Sequence, residues 1–203
     1  MFLVDWSNAY DIIGGDLTAF IVERKDDTGP VTVDVLMSGN GQYGGLGNNI
    51  YTTAQGDAAR VKGLSGLLQC EAIFKYTNWT LMPVVDNDRI RALEPVMPEE
   101  ISISPTGHVL LTLNSSVSSS GVGGRDLMVW GKNYESELGN GKKASVAVPT
   151  PLTTEDGERL MLMSMKAKEV KDLHGKLWRR GVKVEQKIVT GYGNSAVYWR
   201  IAG

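Results

Sequence analysis

The stretch DLMVWGKNYESELGNG, residues 126–141, decides the fold. Leu127 and Val129 alternate with Met128 and Trp130, the period-two pattern of a strand whose two faces meet different neighbours. Gly131 ends the run, and glycine reaches backbone angles closed to other residues, which suits a sharp exit from a sheet. Asn133, Asn140 and Gly141 are turn formers, and Leu138 is the apolar residue placed to plug a gap beneath the loop. The unit reads as a strand, an exit and a corner.

A second copy, DVLMSGNGQYGGLGNN, occupies residues 34–49. Gly39 matches Gly131, Leu46 matches Leu138, Gly47 matches Gly139 and Asn48 matches Asn140, each pair 92 positions apart with no gap. A companion motif of strand, glycine-containing turn and strand recurs as ISISPTGHVLLTL (101–113) and KIVTGYGNSAVYW (187–199), with His108 and Asn194 in equivalent places. IIGGDLTAFIV (12–22) is a shorter version with Thr18 at that position, which gives intervals of 90 and 86 residues. Three strand pairs and two corner loops interleaved at a period near ninety are the signature of a repeat architecture.

These residues carry a family resemblance. Trp130-Gly131-Lys132-Asn133 through Leu138-Gly139-Asn140-Gly141 resembles the corner motif of the regulator of chromosome condensation family, whose repeats form a β-propeller. Pro149-Thr150-Pro151-Leu152 is similar to the proline-containing segment that follows it in that family, and Ser104-Pro105-Thr106-Gly107-His108 resembles its Gly-x-x-His strand start, with Pro105 in place of the Gly. In the upstream copy Ser38 replaces the Trp and Gly41 the Asn.

The resemblance implies an all-β chain, part of a β-propeller of about three antiparallel four-stranded blades. Insertions are expected at 65–98 and 153–182. A closed propeller needs about 4 to 8 blades, so the resemblance also implies a longer propeller, or blades supplied by another chain. A propeller is a support on which unrelated activities are mounted. The details GGLGNN, WGKNYESELGNG and GYGNSAVYW resemble a fungal mitochondrial branch of the family. That likeness implies a non-catalytic scaffold for protein partners, in assembly of respiratory-chain or ribosomal complexes, at the inner membrane or in the matrix. The alternative that the family offers is guanine-nucleotide exchange on a small or mitochondrial GTPase. No segment matches the loop that founding members wedge into their GTPase.

Composition bounds these readings. The chain has 203 residues, 24 of them Gly, which favours a turn-rich β protein. Its formal net charge of −2 does not describe a basic DNA binder. The single cysteine, Cys70, excludes a disulfide within the chain. No apolar run approaches the roughly 20 residues that span a bilayer as a helix. The start, MFLVDWSNAYD, has neither the Arg-rich character of an organelle presequence nor that of a secretory signal, so any targeting element is expected to be absent or to lie outside this chain.

Along the chain, Leu46–Gly56 is expected to be the first corner loop, with Arg60–Leu64 returning as a strand. The Ser/Gly-rich NSSVSSSGVGGR (114–125) is expected to be a mobile connector. In the second insertion, Met161, Met163 and Met165 alternate with Leu160, Leu162 and Ser164, a strand pattern, and DLHGKLW (172–178) reads as a hairpin turn with its return strand. A helix over 165–174 is the other reading. Residues 166–187 hold eight Lys/Arg against three Asp/Glu. Lys176, Trp178, Arg179 and Arg180 are therefore singled out as a partner-binding surface, for an acidic protein, an RNA backbone or anionic lipid. A solvated hairpin face is the plainer reading of the same charges.

No catalytic constellation is legible. His108 and His174 stand apart with no metal-ligand spacing, and His108 is expected to hydrogen-bond the backbone of a neighbouring blade. GNGQYGGLGN lacks the Gly-Lys-Ser/Thr of a phosphate loop. Neither a cofactor nor a small-molecule substrate is expected.

Overall fold

The computed structural model describes residues 10–24, 32–64, 67–68, 82–86, 89–94, 97–117 and 123–202. Cys70 lies outside the described residues. No helix is present among them, and none of the elements is a helix long and apolar enough to cross a membrane.

The first sheet is an antiparallel meander of β1 (Tyr10–Gly14), β2 (Leu17–Arg24), β3 (Thr32–Gly41) and β4 (Thr52–Arg60), with short β5 (Leu67–Leu68) also on β3. A separate pair, β6 (Met82–Asp86) and β7 (Arg89–Glu94), lies within the first predicted insertion. The second sheet repeats the meander with β8 (Pro98–Ile103), β9 (His108–Val117), β10 (Gly123–Gly131) and β11 (Val146–Pro151), and β12 (Met161–Leu162) extends β10's second edge. The third sheet has three strands, β13 (Ser164–Lys171), β14 (Leu177–Gly191) and β15 (Asn194–Ile201), in that order. This is the arrangement of successive propeller blades, two with a four-stranded meander plus a short fifth strand and one with three strands, fewer than expected.

The sheets stack face to face through two apolar layers. Period-two alternation in β10 sorts its side chains: Met128 and Trp130 enter the layer shared with Leu17, Ala19, Val35 and Met37 of the first sheet. Leu127 and Val129 enter the opposite layer, with Leu110, Leu138, Leu162 and Ile188. All four are buried. Both faces of the second sheet are thus covered, which is why its central strands read as nearly unbroken apolar runs.

Backbone geometry confirms the 92-residue repeat. Residues with positive φ recur at that interval: Gly39 and Gly131 (110° and 99°), Gly44 and Ser136 (77° and 64°), Gly47 and Gly139 (64° and 65°), Asn49 and Gly141 (66° and 70°). Their hydrogen bonds recur too. Asn40 N donates to Asp16 O at 2.8 Å as Lys132 N donates to Gly107 O at 3.0 Å, and Gly47 N to Gly44 O as Gly139 N to Ser136 O, both 3.0 Å. A Cβ on Gly39 would fall on the Asp16 carbonyl oxygen, and one on Gly131 on that of Gly107. Glycine is required there by contact as well as by φ.

Three expectations are corrected. Gly131 pairs with His108 and Gly39 with Leu17, so Leu17, not Thr18, is the counterpart of His108. The returning strand of the first blade is Thr52–Arg60, which begins within the segment expected as corner loop and ends where the return strand was expected to start, and Lys62–Leu64 is a turn. The Ser/Gly-rich connector is shorter than expected, because β9 runs to Val117 and β10 begins at Gly123. The hairpin expected within 153–182 is present: the segment contains β12, β13 and the start of β14, and 165–174, for which a helix was the other reading, is strand to Lys171 and then a turn.

Candidate functional site

Three hairpin turns converge on one cleft. Asp16–Leu17, Pro105–Gly107 and Tyr192 line this cleft of about 250 Å³ together with Asn40, Tyr43 and Lys132. The corner loops support its rim. Tyr43 of the first corner meets Tyr134 of the second edge to face, ring centroids 5.5 Å apart at 82°. Lys132 Nζ lies 3.5 Å from Glu137 Oε1, which is buried.

Beside the cleft a polar seam joins the second and third sheets. His108 is buried, and its Nε2 lies 3.0 Å from the Asn194 carbonyl. A carbonyl only accepts, so Nε2 carries the proton. Burial holds the imidazole pKa below its ordinary 6.5, although the Asn194 carbonyl and Glu137 pull the other way. Ser104 Oγ donates to Gly191 O at 2.9 Å and lies 2.7 Å from Thr106 Oγ1, and Thr190 N donates to Ser102 Oγ at 3.0 Å. His108 in this setting is a neutral brace between sheets.

The repeat residues are brought together as structural groups. Trp130 donates its indole N–H to Gly45 O at 2.8 Å, and Gly47 packs against the same ring nitrogen, so the first corner locks onto the second sheet. Asn49 N to Ala147 O (2.9 Å) and the Tyr51 hydroxyl to Ser145 O (3.2 Å) extend that lock. Leu46 and Leu138 each plug the apolar layer beneath their own corner. Asn133 braces the second corner: its Nδ2 donates to Asn140 Oδ1 and Lys142 O (2.9 and 2.8 Å), and its Oδ1 accepts from Leu138 N (3.0 Å). Gly41, its counterpart in the first corner, has no such group, and Leu46 Cδ1 takes the space instead. Gly139 sits at an open bend.

Lys176, Trp178, Arg179 and Arg180 lie elsewhere, on the hairpin of β13 and β14, whose outer part is exposed on both faces. Asp172 Oδ1 accepts from the N–H groups of His174 and Lys176, both at 2.9 Å, and closes its turn. The register places Lys166 opposite Lys183, with Val170 opposite Arg179, on one face; alternation adds Lys168. Met165, Ala167, Val182 and Val184 share the other with the Glu169–Arg180 ion pair (3.4 Å) and Trp178. Trp178 is largely exposed, with the Arg179 guanidinium carbon 5.1 Å from its ring centre. The arm is therefore cationic on one side and mostly apolar on the other.

Sequence reasoning missed the cleft and the buried charges. Asp34 and Asp126, again 92 apart, are both buried and paired with arginines: Arg24 and Arg60 (3.4 and 3.5 Å), and Arg159 (2.7 Å). Buried Arg125 donates to Glu99 at 3.2 Å and to the Gln186 carbonyl. The Asp pair was visible as the shared first letter of the two repeat stretches. The cleft had no local signal, because its walls come from turns about ninety residues apart.

No family model matches the chain, and no curated protein matches it. Among solved structures it is similar to the crystal structure of human WBSCR16, with a TM-score of 0.30 and 15% identity over 99% of this chain and 47% of that one. The chain thus spans about half the length of that structure.

Proposed function

We propose that the chain is a non-catalytic β-propeller scaffold that grips protein partners through the β13–β14 arm, in assembly of mitochondrial respiratory-chain or ribosomal complexes. The observation that supports it most is the arm itself: an aromatic side chain and seven of its cations stand in solvent, outside both apolar layers. Two like charges directly opposite on a strand pair, as in Lys166 and Lys183, destabilise an isolated hairpin. An acidic partner surface removes that repulsion, and Trp and Arg are the residue types that anchor interfaces. The mitochondrial setting rests on the family resemblance of the corner motifs.

The test is recovery of respiratory-chain and ribosomal subunits with the tagged chain from mitochondria, comparing wild type with the triple variant Trp178→Ala, Arg179→Glu, Arg180→Glu. The proposal expects at least a tenfold loss of recovery with an unchanged far-ultraviolet spectrum. Undiminished recovery contradicts the arm as the grip. Accelerated nucleotide release from a mitochondrial GTPase at substoichiometric chain concentration replaces the scaffold reading with exchange.

A further inference from the structure

The strand that leads the third sheet is far longer than its counterparts. Among the described residues β1 has 5 residues and β8 has 6, whereas β14 has 15. β15 pairs with β14 only from Val184 to Gly191, so Leu177–Lys183 runs on past the sheet with β13 as its partner. At about 3.3 Å per residue this carries the arm roughly 20 Å beyond the end of β15. The arm is an addition to the repeat, at the end of β14 opposite the Tyr192 turn.

One side of the arm continues the side on which the third sheet meets the second. Ile188 packs into the layer shared with the second sheet, and Val184, on the same side and nearer the arm, is buried. Alternation carries that side outward to Val182, Arg180 and Trp178, and the register adds Met165 and Ala167 of β13. The neighbouring sheet on this side is present, yet cover ends at Val184: Met165 is 48% and Trp178 61% exposed. In the turn Leu173 is fully exposed, with Leu177 exposed beside it. The arm's acids are engaged within it. Glu169 holds Arg180 at 3.4 Å and Lys171 at 3.8 Å, and Asp172 Oδ1 accepts the N–H groups of its own turn. Among the described residues Lys166, Lys168, Lys176 and Lys183 carry no ion pair.

We infer that the arm is a membrane-docking hairpin, whose tip and Trp178 side settle into the interface of a bilayer with anionic headgroups. A projecting turn offers no concavity to a small ligand, and an acidic partner accounts for the lysines but not for a fully exposed leucine. An apolar tip ringed by unpaired cations matches a surface with hydrocarbon below and phosphates around it. Leu173 and Leu177 supply apolar burial. Trp178 supplies a ring suited to headgroup depth, and the lysines reach phosphates on long stems that tolerate apolar surroundings. At that depth water satisfies the outer N–H and C=O groups of the two strands. The inference adds a lipid surface to the protein partners proposed above and does not rest on them.

The experiment mixes the purified chain with phosphatidylcholine vesicles, with and without phosphatidylglycerol, and follows flotation. The chain should float with the anionic vesicles and not with the neutral ones, and rising salt should weaken the binding. Leu173→Asp alters a fully exposed side chain, so circular dichroism should stay unchanged while affinity falls at least tenfold. Bromine on the lipid chains should quench the wild type's fluorescence, and Trp178→Phe should remove most of that quenching. No flotation, equal flotation on neutral vesicles, undiminished affinity of Leu173→Asp, or quenching that survives Trp178→Phe would each overturn the inference, as would capture by an RNA oligonucleotide or an acidic peptide in place of vesicles. Recovery of mitochondrial subunits after detergent has removed the bilayer is a separate readout, which Leu173→Asp should leave intact, so either idea can fail alone.

Discussion

The second and third sheets start from the same plan and end differently. His108 and Asn194 begin equivalent strands, and both strands alternate apolar side chains, yet one strand is sealed and the other half open. Sealing comes from what lies beside the strand: β10 along its edge and the Leu46 corner across its face. On the third sheet, Ile188 packs into the layer it shares with the second sheet and Val184 is buried, whereas Val197, Tyr198 and Trp199 remain in contact with solvent. Burial in this chain is therefore a property of neighbouring repeats, as in other stacked architectures.

That contrast can be broken by substitution. Trp130→Ala should cost roughly 3–5 kcal/mol, since it empties a fully buried site and orphans Gly45 O. Trp199→Ala should cost about 1 kcal/mol or less, its ring being nearly half exposed. Equal shifts of the urea midpoint for the two would erase the distinction between the sheets. Gly131→Val should cost roughly 2–4 kcal/mol through a clash with Gly107 O and a positive φ, whereas Gly175→Val, at the open turn of the arm, meets no atom and carries only the φ penalty of about 1–2 kcal/mol.

The smallest effect is on pH. His108 binds its proton less readily folded than unfolded, so between its folded pKa and about 6.5 the unfolded state holds more protons and stability rises with pH. Its contribution is complete above 6.5 and is lost as pH falls below it. His108→Asn, which copies the residue at position 194, should flatten stability between pH 7.5 and 5.5 relative to wild type. Parallel slopes would remove His108 from the account.

How much of this the sequence disclosed follows from where the information sits. The corners were legible because their glycines are demanded by φ and contact at fixed spacing, and the arm because Met161, Met163 and Met165 alternate with Leu160, Leu162 and Ser164 up to the turn formers Asp172 and Gly175. β4 was not legible: TTAQGDAAR is an outer strand, intermediate or exposed throughout, and leaves no apolar alternation to read. The slip from Leu17 to Thr18 has the same origin, since β2 is apolar on one face and partly covered on the other, and only the Gly39 pairing fixes its phase. The cleft and the seam from Ser104 to Gly191 depend on three turns meeting in space, which no local pattern encodes.

Amide hydrogen exchange of the isolated chain tests the central contrast most directly. The account predicts that Val109, Leu111 and Leu113 exchange only through global unfolding, while Ser195, Val197 and Trp199 exchange at least a hundredfold faster and their even-numbered neighbours in β15 lie between. Protection of those three amides equal to that of β9 would contradict it.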